Sequence, residues 1–305
     1  MTQKDKTIAL LMLCYNGAAD GLEAIESLSD QREAIIDIFI SDNNSNDENK
    51  KLLQDNAQRL SYNFLNREEN LGFAGGFNDL FQTALKESKA DYFLVLNNDT
   101  EAEEGFIEQL LAQATPEHIV SPMILWHKDR ETVIQCAGEF DLNSMKMSNR
   151  FADQKRGEVP PGVHQVGQTD GCCFMIHRSW LEKGFLFDPK LFIYFEDVEL
   201  FTRLNQAGAS FHYVTQSVLL HKEYGSSGGR EKPSAFRNYY FYRNRLYLAR
   251  KYHKWPGRWR IYYSLIRLAL EKRKEQKAEA PQAAKAISQG IKDFFTGRMG
   301  RQYVP

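Results

Sequence analysis

Residues 92–100 read YFLVLNNDT, an apolar run that passes directly into an Asn-Asn-Asp-Thr cluster. A short apolar run bounded by turn-forming residues is typical of a strand that is buried on both faces. The same pattern recurs upstream at residues 7–14 (TIALLMLC), 35–41 (IIDIFIS) and 62–65 (YNFL). Helical patterns separate these runs: one through Leu22, Ile25 and Leu28, one over residues 47–60, and one through Phe77 and Leu85. This alternation predicts an α/β fold with a mostly parallel sheet flanked by helices.

Polar clusters stand at the carboxyl ends of the predicted strands. They are Tyr15-Asn16, Asp42-Asn43-Asn44-Ser45, the glycine-rich stretch 70–78 (NLGFAGGFN) and Asn97-Asn98-Asp99. Ligands of open parallel sheets bind outside the carboxyl ends of the strands. We therefore predict that these clusters meet in one binding site.

After a strand at residues 119–125 the alternation weakens. Residues 130–168 predict an irregular region that covers one side of the site. We then expect a buried strand at 169–177, a helix at 196–207, two short strands at 210–214 and 217–221, and a Gly/Ser loop at 225–229. From Pro233 onward the pattern is helical, with breaks at Pro256 and Pro281. The chain is thus predicted to hold a catalytic domain of residues 1–230 and a helical extension of residues 231–305.

The composition is that of an ordinary globular protein. The 305 residues are 42% hydrophobic and 26% charged, with a net charge of −1. The sequence contains no apolar run of the roughly 20 residues that a membrane span needs, and its first residues lack the apolar core and cleavage site of a signal peptide. Four cysteines without a CxxC pair (Cys14, Cys136, Cys172, Cys173) predict reduced core thiols and a cytoplasmic location.

The charge is distributed unevenly. From Arg245 to the end there are 15 Lys/Arg against 4 Asp/Glu, about +11, so the preceding part carries about −12. Residues 255–270 (WPGRWRIYYSLIRLAL) mix arginines with aromatic and aliphatic residues. This segment either binds an anionic membrane surface or packs its apolar side on the domain with its charges in water. No recognition motif supports nucleic-acid binding.

Two of the clusters allow both a binding and a structural interpretation. Asp99 is placed either to hold a divalent cation against a diphosphate or to cap the following helix. In the stretch 70–78, Gly72 and Gly75 either let the backbone approach an anion or form a tight loop–helix junction.

The second half of the chain offers further candidates. Glu196-Asp197 follows an aromatic run, so either a partly desolvated general base or a helix-capping carboxylate is expected there. His221 is either structural or a second metal ligand. The following basic residues are expected mostly to face solvent, with one or two of them in contact with a diphosphate: Arg230, Lys232, Arg237, Arg243 and Arg245.

In their order along residues 7–225, these pieces resemble the family 2 glycosyltransferases, which have the GT-A fold. The stretches NLGFAGGFN and YYFYRNRL (residues 239–246) are most similar to the bacterial rhamnosyltransferase branch. The resemblance implies that Asp42 binds the pyrimidine base, that Asp170 lies near the donor sugar, and that Asp197 is the catalytic base. It also implies a donor site made of Tyr15, Asn16, Asp42, Asn44, Gly72, Gly75, Asn78, Asn97, Asn98 and Asp170.

The resemblance further implies a metal site. Asp99 corresponds to the last member of the family's DxD motif, which binds Mg²⁺ or Mn²⁺, and His221 to a further metal ligand. Asn97 stands where the motif has its first aspartate, so one charge is missing.

The expected activity is that of an inverting, metal-dependent glycosyltransferase. The resemblance points to L-rhamnose from dTDP-rhamnose as the donor and to a cell-surface glycan or lipid-linked acceptor, at the inner face of the plasma membrane. A sugar-nucleotide pyrophosphorylase is an alternative, but residues 15–19 (YNGAA) lack the basic glycine-rich loop that it needs after strand one. The other alternative is a non-catalytic nucleotide- or carbohydrate-binding module.

Overall fold

The computed structural model of the protein describes residues 6–222 and 233–302. The Gly/Ser loop at 225–229, together with Arg230 and Lys232, lies outside these residues. The strands are β1 Ile8–Cys14, β2 Ile35–Asp42, β3 Asn63–Asn66, β4 Tyr92–Asn97, β5 Thr100–Ala102, β6 His118–Trp126, β7 Val133–Gln135, β8 Gly138–Asp141, β9 Lys146–Asn149, β10 Val163–Val166, β11 Cys173–His177 and β12 Ser210–His221.

Helices flank the sheet and continue to the end of the described chain. They are α1 Ala18–Glu26, α2 Asp47–Leu60, α3 Gly72–Glu87, α4 Phe106–Gln113, α5 Arg178–Glu182, α6 Glu196–Gln206, α7 Ala235–Tyr252, α8 Gly257–Gln276 and α9 Pro281–Phe295. Two short 3₁₀ helices lie at Ser29–Ala34 and Arg156–Glu158. The breaks between α7, α8 and α9 fall at the predicted prolines.

Ten of the strands form one sheet. Its main order is β10-β12-β6-β11-β4-β1-β2-β3, with β5 paired to β12 and β7 paired to β6. Strands β1 to β4 are parallel, as the alternation predicts, and Cys14 pairs with Asp42 while Leu13 pairs with Asn97. The carboxyl ends of these strands therefore meet at one edge of the sheet.

β11 runs antiparallel between β4 and β6. Its first residue, Cys173, pairs with Leu96 near the end of β4, so the residues just before β11 reach the same edge. β12 is parallel to β6, which brings the end of β12, at His221, to this edge as well. Residues that are distant in sequence thus meet there.

The prediction of two short strands at 210–214 and 217–221 was wrong, because β12 is continuous. Its pairing with β6 shifts register between Val214 and Val218. The intervening polar residues are satisfied within the fold: the Thr215 amide donates to the Gly162 carbonyl, and the Ser217 hydroxyl donates to the Phe106 carbonyl at 2.9 Å. A bulge therefore accommodates residues that resemble a turn in the sequence.

The sheet is buried on both faces, as its apolar runs predict. Along β1, Leu11 faces the hydrophobic cluster that contains Phe77 and Phe201, whereas Leu10 and Met12 face the opposite cluster. The prediction of reduced core thiols is confirmed, since the four cysteines are buried and free.

The C-terminal helices pack on the elements that lead into α6. Leu191, Phe195 and Val198 share a cluster with Leu246 of α7 and Leu265 of α8. Among the described helices, none has both the length and the apolar character that crossing a bilayer requires.

Gly290 allows α9 to contact the backbone of α7. A Cβ atom at this position would lie 2.4 Å from the Tyr239 carbonyl oxygen. Although alanine is favoured over glycine in a helix by about 1 kcal/mol, we expect Gly290→Ala to lower the free energy of unfolding by about 1–3 kcal/mol, because the backbone of α7 has to move. Urea denaturation measures the change.

The matched control is Gly257→Ala at the start of α8. No atom lies within 4 Å of a Cβ built at this position. We expect this substitution to leave stability unchanged or slightly raised. Equal stability of the two variants would contradict the proposed close contact between α9 and α7.

Candidate active site

A cleft of about 660 Å³ opens at the carboxyl edge of the sheet. The predicted site residues that line it are Tyr15, Asn16, Gly72, Asn97, Asn98, Asp99, Asp170, Asp197 and His221. They come from the ends of β1, β4 and β12, the segment before β11, and the first turns of α3 and α6. These nine residues, from polar clusters and elements far apart in sequence, therefore line one cleft.

Asp99 and His221 form a pair at the floor of the cleft. The distance between Asp99 Oδ1 and His221 Nε2 is 3.0 Å, and both side chains are largely buried. Burial by itself raises the pKa of Asp99, but the hydrogen bond from His221 and the charges of His221 and Lys222 outweigh it. The pKa of Asp99 therefore lies below its usual value, and this carboxylate is ionised at neutral pH.

The Asp99–His221 pair suits a divalent cation. Two neighbouring ligands of an octahedral Mg²⁺, each about 2.1 Å from the ion, lie about 3.0 Å apart, which matches the observed separation. Residues 6–222 and 233–302 contain no group of three or more His, Cys, Asp or Glu side chains arranged to hold a metal ion. The remaining ligands would have to be diphosphate oxygens and water, which Mg²⁺ commonly retains.

Asp197 lines the same cleft, at the start of α6. Its Oδ1 accepts from the Val198 amide at 2.7 Å and its Oδ2 from the Gly171 amide at 3.2 Å. A Cβ atom at position 171 would lie 3.0 Å from the Asp197 Cβ, so glycine permits this close approach. Burial and then the charge of Asp170 raise the pKa of Asp197 to about 6, although the two amides lower it.

Glu196 is a second buried carboxyl group beside Asp197. Its Oε2 has no hydrogen-bond partner among the described residues. Burial, followed by the charge of Asp197, raises the pKa of Glu196 well above its usual value. Burial and the neighbouring carboxyl group of Asp197 therefore both favour the neutral form of Glu196 over its ionised form.

The glycine-rich stretch forms a tight loop–helix junction. Gly72 has φ of +72°, and a Cβ atom on it would lie 2.4 Å from Phe192. The amide of Leu71 donates to Asn43, that of Gly72 to Asn70, and that of Ala74 to the Phe192 carbonyl. These three amides therefore donate within the fold, as expected for a tight loop–helix junction.

Four predicted donor-site residues lie outside the lining of the cleft. Asn44 accepts from Lys50, Gly75 packs beneath Leu71, and Asn78 bridges to the backbone of Phe187. Asp42 is fully buried: Oδ2 accepts from the Ser45 amide, whereas Oδ1 has no hydrogen-bond partner among the described residues.

The cleft also contains residues that the sequence analysis did not assign to the site. These are Gln135 from the irregular region, and Phe192, Ile193 and Tyr194 before α6; Asn43 and Asn70, which belong to the predicted clusters but were given no role, line the cleft as well. Among the basic candidates of the sequence analysis, Arg237 lines the cleft too. The expectation for Arg243 was wrong, because this residue is fully buried and lies outside the lining of the cleft. The aromatic run before Glu196 was the available signal for Phe192, Ile193 and Tyr194.

The sequence is similar to several known proteins. One is an N-acetylglucosaminyl-diphospho-decaprenol L-rhamnosyltransferase of Mycobacterium tuberculosis, at 25% identity, with 79% of this chain and 84% of that protein covered. Another is a low-salt glycan biosynthesis hexosyltransferase of Haloferax volcanii, at 24% identity over 63% of this chain and 59% of that protein.

Solved structures show the same fold. GalNAc-T7 with UDP, GalNAc and Mn²⁺ aligns with a TM-score of 0.60 at 16% identity over 96% of this chain, which spans 55% of that chain. The mannosyltransferase PcManGT of Pyrobaculum calidifontis with GDP-Man and Mn²⁺ aligns with a TM-score of 0.54 at 14% identity, over 95% of this chain and 79% of that one. The fold is of the GT-A type. A family model described as "Glycosyl transferase family 2" matches residues 9–185, more than half of the chain, and the protein therefore belongs to that family.

Proposed function

We propose that this glycosyltransferase is inverting and metal-dependent, with Asp197 as the general base. The observation that carries the proposal is a half-buried carboxyl group with a pKa raised to about 6, in the same cleft as the Asp99–His221 pair. A general base works best when its pKa lies near the working pH. The alternatives of a pyrophosphorylase and a non-catalytic module gain no specific support from the cleft.

The residues divide the chemistry between them. Asp197, oriented by the amides of Gly171 and Val198, takes the proton from an acceptor hydroxyl as that oxygen attacks the anomeric carbon. The glycosidic bond forms as the bond to the diphosphate breaks, so one in-line displacement inverts the anomeric centre. Arg237 lines the cleft and is placed to stabilise the departing diphosphate.

Asp99 and His221 would hold Mg²⁺ or Mn²⁺. A bound cation supplies positive charge against the developing charge of the diphosphate. Because Asn97 contributes no charge, Asp99 is the anionic ligand of this site, and the lowered pKa keeps it ionised.

The proposed donor is dTDP-rhamnose and the proposed acceptor is a lipid-linked glycan. The mycobacterial relative is named as a rhamnosyltransferase with a diphospho-decaprenol acceptor, which supports both. The Oδ1 atom of Asp42 is a buried acceptor without a partner among the described residues. Because Asp42 lies outside the lining of the cleft, neighbouring residues have to move before the N–H group of thymine or uracil can donate to it.

The first prediction concerns the donor. We expect dTDP-rhamnose with Mn²⁺, at about 100 times its dissociation constant, to stabilise the fold by about 2.7 kcal/mol. A thermal-shift panel of dTDP-rhamnose, UDP-sugars and GDP-sugars, each with and without Mn²⁺, measures this effect. Asp99→Asn should lose the increment that depends on the metal, whereas Asp141→Asn, at the exposed end of β8, should keep it.

A shift with a different sugar nucleotide would overturn the rhamnose assignment and leave the glycosyltransferase proposal standing. If none of the panel stabilises the protein, the donor site proposed at Asp42 and Asp99 is wrong. An equal shift with and without the metal in the wild type would contradict the metal site alone.

The second prediction concerns the base. Because only ionised Asp197 accepts a proton, kcat/KM should rise with pH through about 6 and fall about tenfold per unit below it. Asp197→Asn should reduce turnover by at least about 100-fold at every pH, and should retain the thermal shift with the donor. Initial rates between pH 5 and 8 test this. Turnover by Asp197→Asn that approaches the wild-type rate would refute the assignment.

We further propose that the protein contacts an anionic membrane surface through α8. Trp255, just before α8, and Trp259 and Tyr263 within it are spaced by four residues and are 72%, 51% and 74% exposed. The helix carries six Lys/Arg and two Glu, and its basic residues are mostly exposed. Its other side buries Tyr262, Leu265 and Ala269 against its neighbours. An exposed aromatic row beside basic residues fits the headgroup region of an anionic bilayer.

The third prediction tests this surface. The triple substitution Trp255→Ala, Trp259→Ala and Tyr263→Ala should reduce co-sedimentation with phosphatidylglycerol vesicles several-fold, because the exposed aromatic area is lost. Its matched control replaces three scattered exposed residues, Ile36, Met147 and Val163, by alanine. Equal vesicle binding of both variants, or binding to uncharged phosphatidylcholine vesicles as strong as to anionic ones, would refute the proposal.

A further inference from the structure

Segment 191–195, the five residues before Glu196, has a strained backbone. Phe192, Tyr194 and Phe195 have φ values of +62°, +68° and +71°. Aromatic residues rarely adopt this left-handed conformation, and it persists only where surrounding contacts enforce it. Phe195 is also the N-cap of α6 and makes no side-chain capping bond. The orientation of Asp197, two residues after this segment, therefore depends on contacts that other parts of the fold make with the segment.

Asn244 of α7 supplies those contacts. Its Nδ2 lies 2.8 Å from each of the carbonyl oxygens of Leu191, Ile193 and Tyr194. The side chain is fully buried, and its Oδ1 accepts from Arg243 Nε at 2.9 Å. The side-chain amide of Asn244 thus contacts three carbonyl groups of segment 191–195.

Arg243 completes the arrangement. Its Nη2 donates to the carbonyls of Lys190 at 3.3 Å and Leu191 at 3.2 Å, and its Nη1 donates to Gly300 at 2.7 Å. The guanidinium is fully buried and lies over the rings of Tyr239 and Tyr240. Burying an arginine costs free energy that an apolar side chain in the same interface would avoid. Through its hydrogen bonds to the carbonyls of Lys190 and Leu191, Arg243 connects α7 to the backbone just before and at the start of segment 191–195, and so does more than hold helices together.

Segment 191–195 connects both sides of the cleft. Phe192, Ile193 and Tyr194 line the cleft itself. The Phe192 carbonyl accepts from Ala74 at 3.1 Å, and its ring stacks on Tyr240 with a centroid distance of 5.2 Å. A movement of this segment would therefore displace both the lining of the cleft and the start of α6.

We propose that Arg243 and Asn244 are positioning residues that hold segment 191–195, and through it the carboxyl group of Asp197, in the reactive geometry. The inference rests on the proposed role of Asp197 as the base. It assigns the C-terminal helices a part in catalysis, since hydrogen bonds from Arg243 and Asn244 of α7 hold the backbone that sets the orientation of α6.

The test replaces Asn244 by leucine, which has nearly the same size and makes no hydrogen bonds. Hydrogen exchange followed by mass spectrometry should show faster exchange across residues 191–198. Turnover per folded molecule should fall by about 30- to 100-fold, as expected for a misplaced base, while the KM for the donor stays within about threefold. A parallel variant, Arg243→Lys, keeps the charge and should lie between wild type and Asn244→Leu.

The control is Asp293→Asn, which weakens the buried hydrogen bond of 2.8 Å between α9 and Tyr239 of α7. It should lower stability without changing exchange at 191–198 or kcat. Unchanged exchange or unchanged kcat in Asn244→Leu and Arg243→Lys overturns the proposal, and so does an equal loss of kcat in Asp293→Asn. The role of Asp197 is tested separately, since turnover by Asp197→Asn bears on the proposed base and not on the positioning role of Arg243 and Asn244.

Discussion

The presence of several carboxyl groups in one partly buried cleft is the constraint on which the rest of the site depends. Asp99, Asp170, Glu196 and Asp197 all line it. Their pKa values are shifted in opposite directions: His221 and Lys222 lower the pKa of Asp99, whereas burial raises the pKa values of Glu196 and Asp197. Environments that separate the pKa values of neighbouring acids also separate their roles. An ionised ligand and a titratable base are thereby possible within one cavity.

The sheet topology makes this separation possible. A purely parallel sheet would bring together only strand ends, yet Asp170 and Gly171 come from the start of β11, which is antiparallel. Because β11 runs in the opposite direction to β4, the residues just before it, which follow the irregular region, lie at the same edge of the sheet as the carboxyl ends of the parallel strands. The Gly171 amide then meets Asp197 at 3.2 Å. The base is consequently fixed by two elements, α6 and the start of β11, and not by α6 alone.

Much of this arrangement was predictable from local patterns. Apolar runs and their polar ends predicted β1, β2 and β4 to within one residue, and the resulting edge brought Asp99, Asp197 and His221 into one cleft. Local sequence patterns gave wrong predictions where tertiary contacts determine the conformation of the chain. The polar residues within β12 resembled a turn because their partners, Gly162 and Phe106, are far away in sequence.

The composition of a cleft lining is equally hard to derive from spacing. Asn78 follows the glycines closely, yet α3 turns it toward Phe187 and away from the cleft. Conversely, nothing local predicts left-handed conformations at Phe192, Tyr194 and Phe195, because aromatic residues normally avoid them. Such a conformation depends on donors 50 residues downstream, which only the folded structure brings near.

The basic C-terminal part divides into two surfaces with different physical requirements. On the inner side Arg243 is dehydrated, and it is tolerated because fixed carbonyls and two tyrosine rings replace its hydration. On the outer side Arg260 and Arg267 are hydrated and lie on the same helix as Trp259. The two surfaces belong to helices that share one hydrophobic cluster with segment 191–195. Contact of α8 with a membrane would therefore fix the orientation of the cleft relative to that membrane, because the packing that anchors α8 also anchors the backbone that precedes the proposed base.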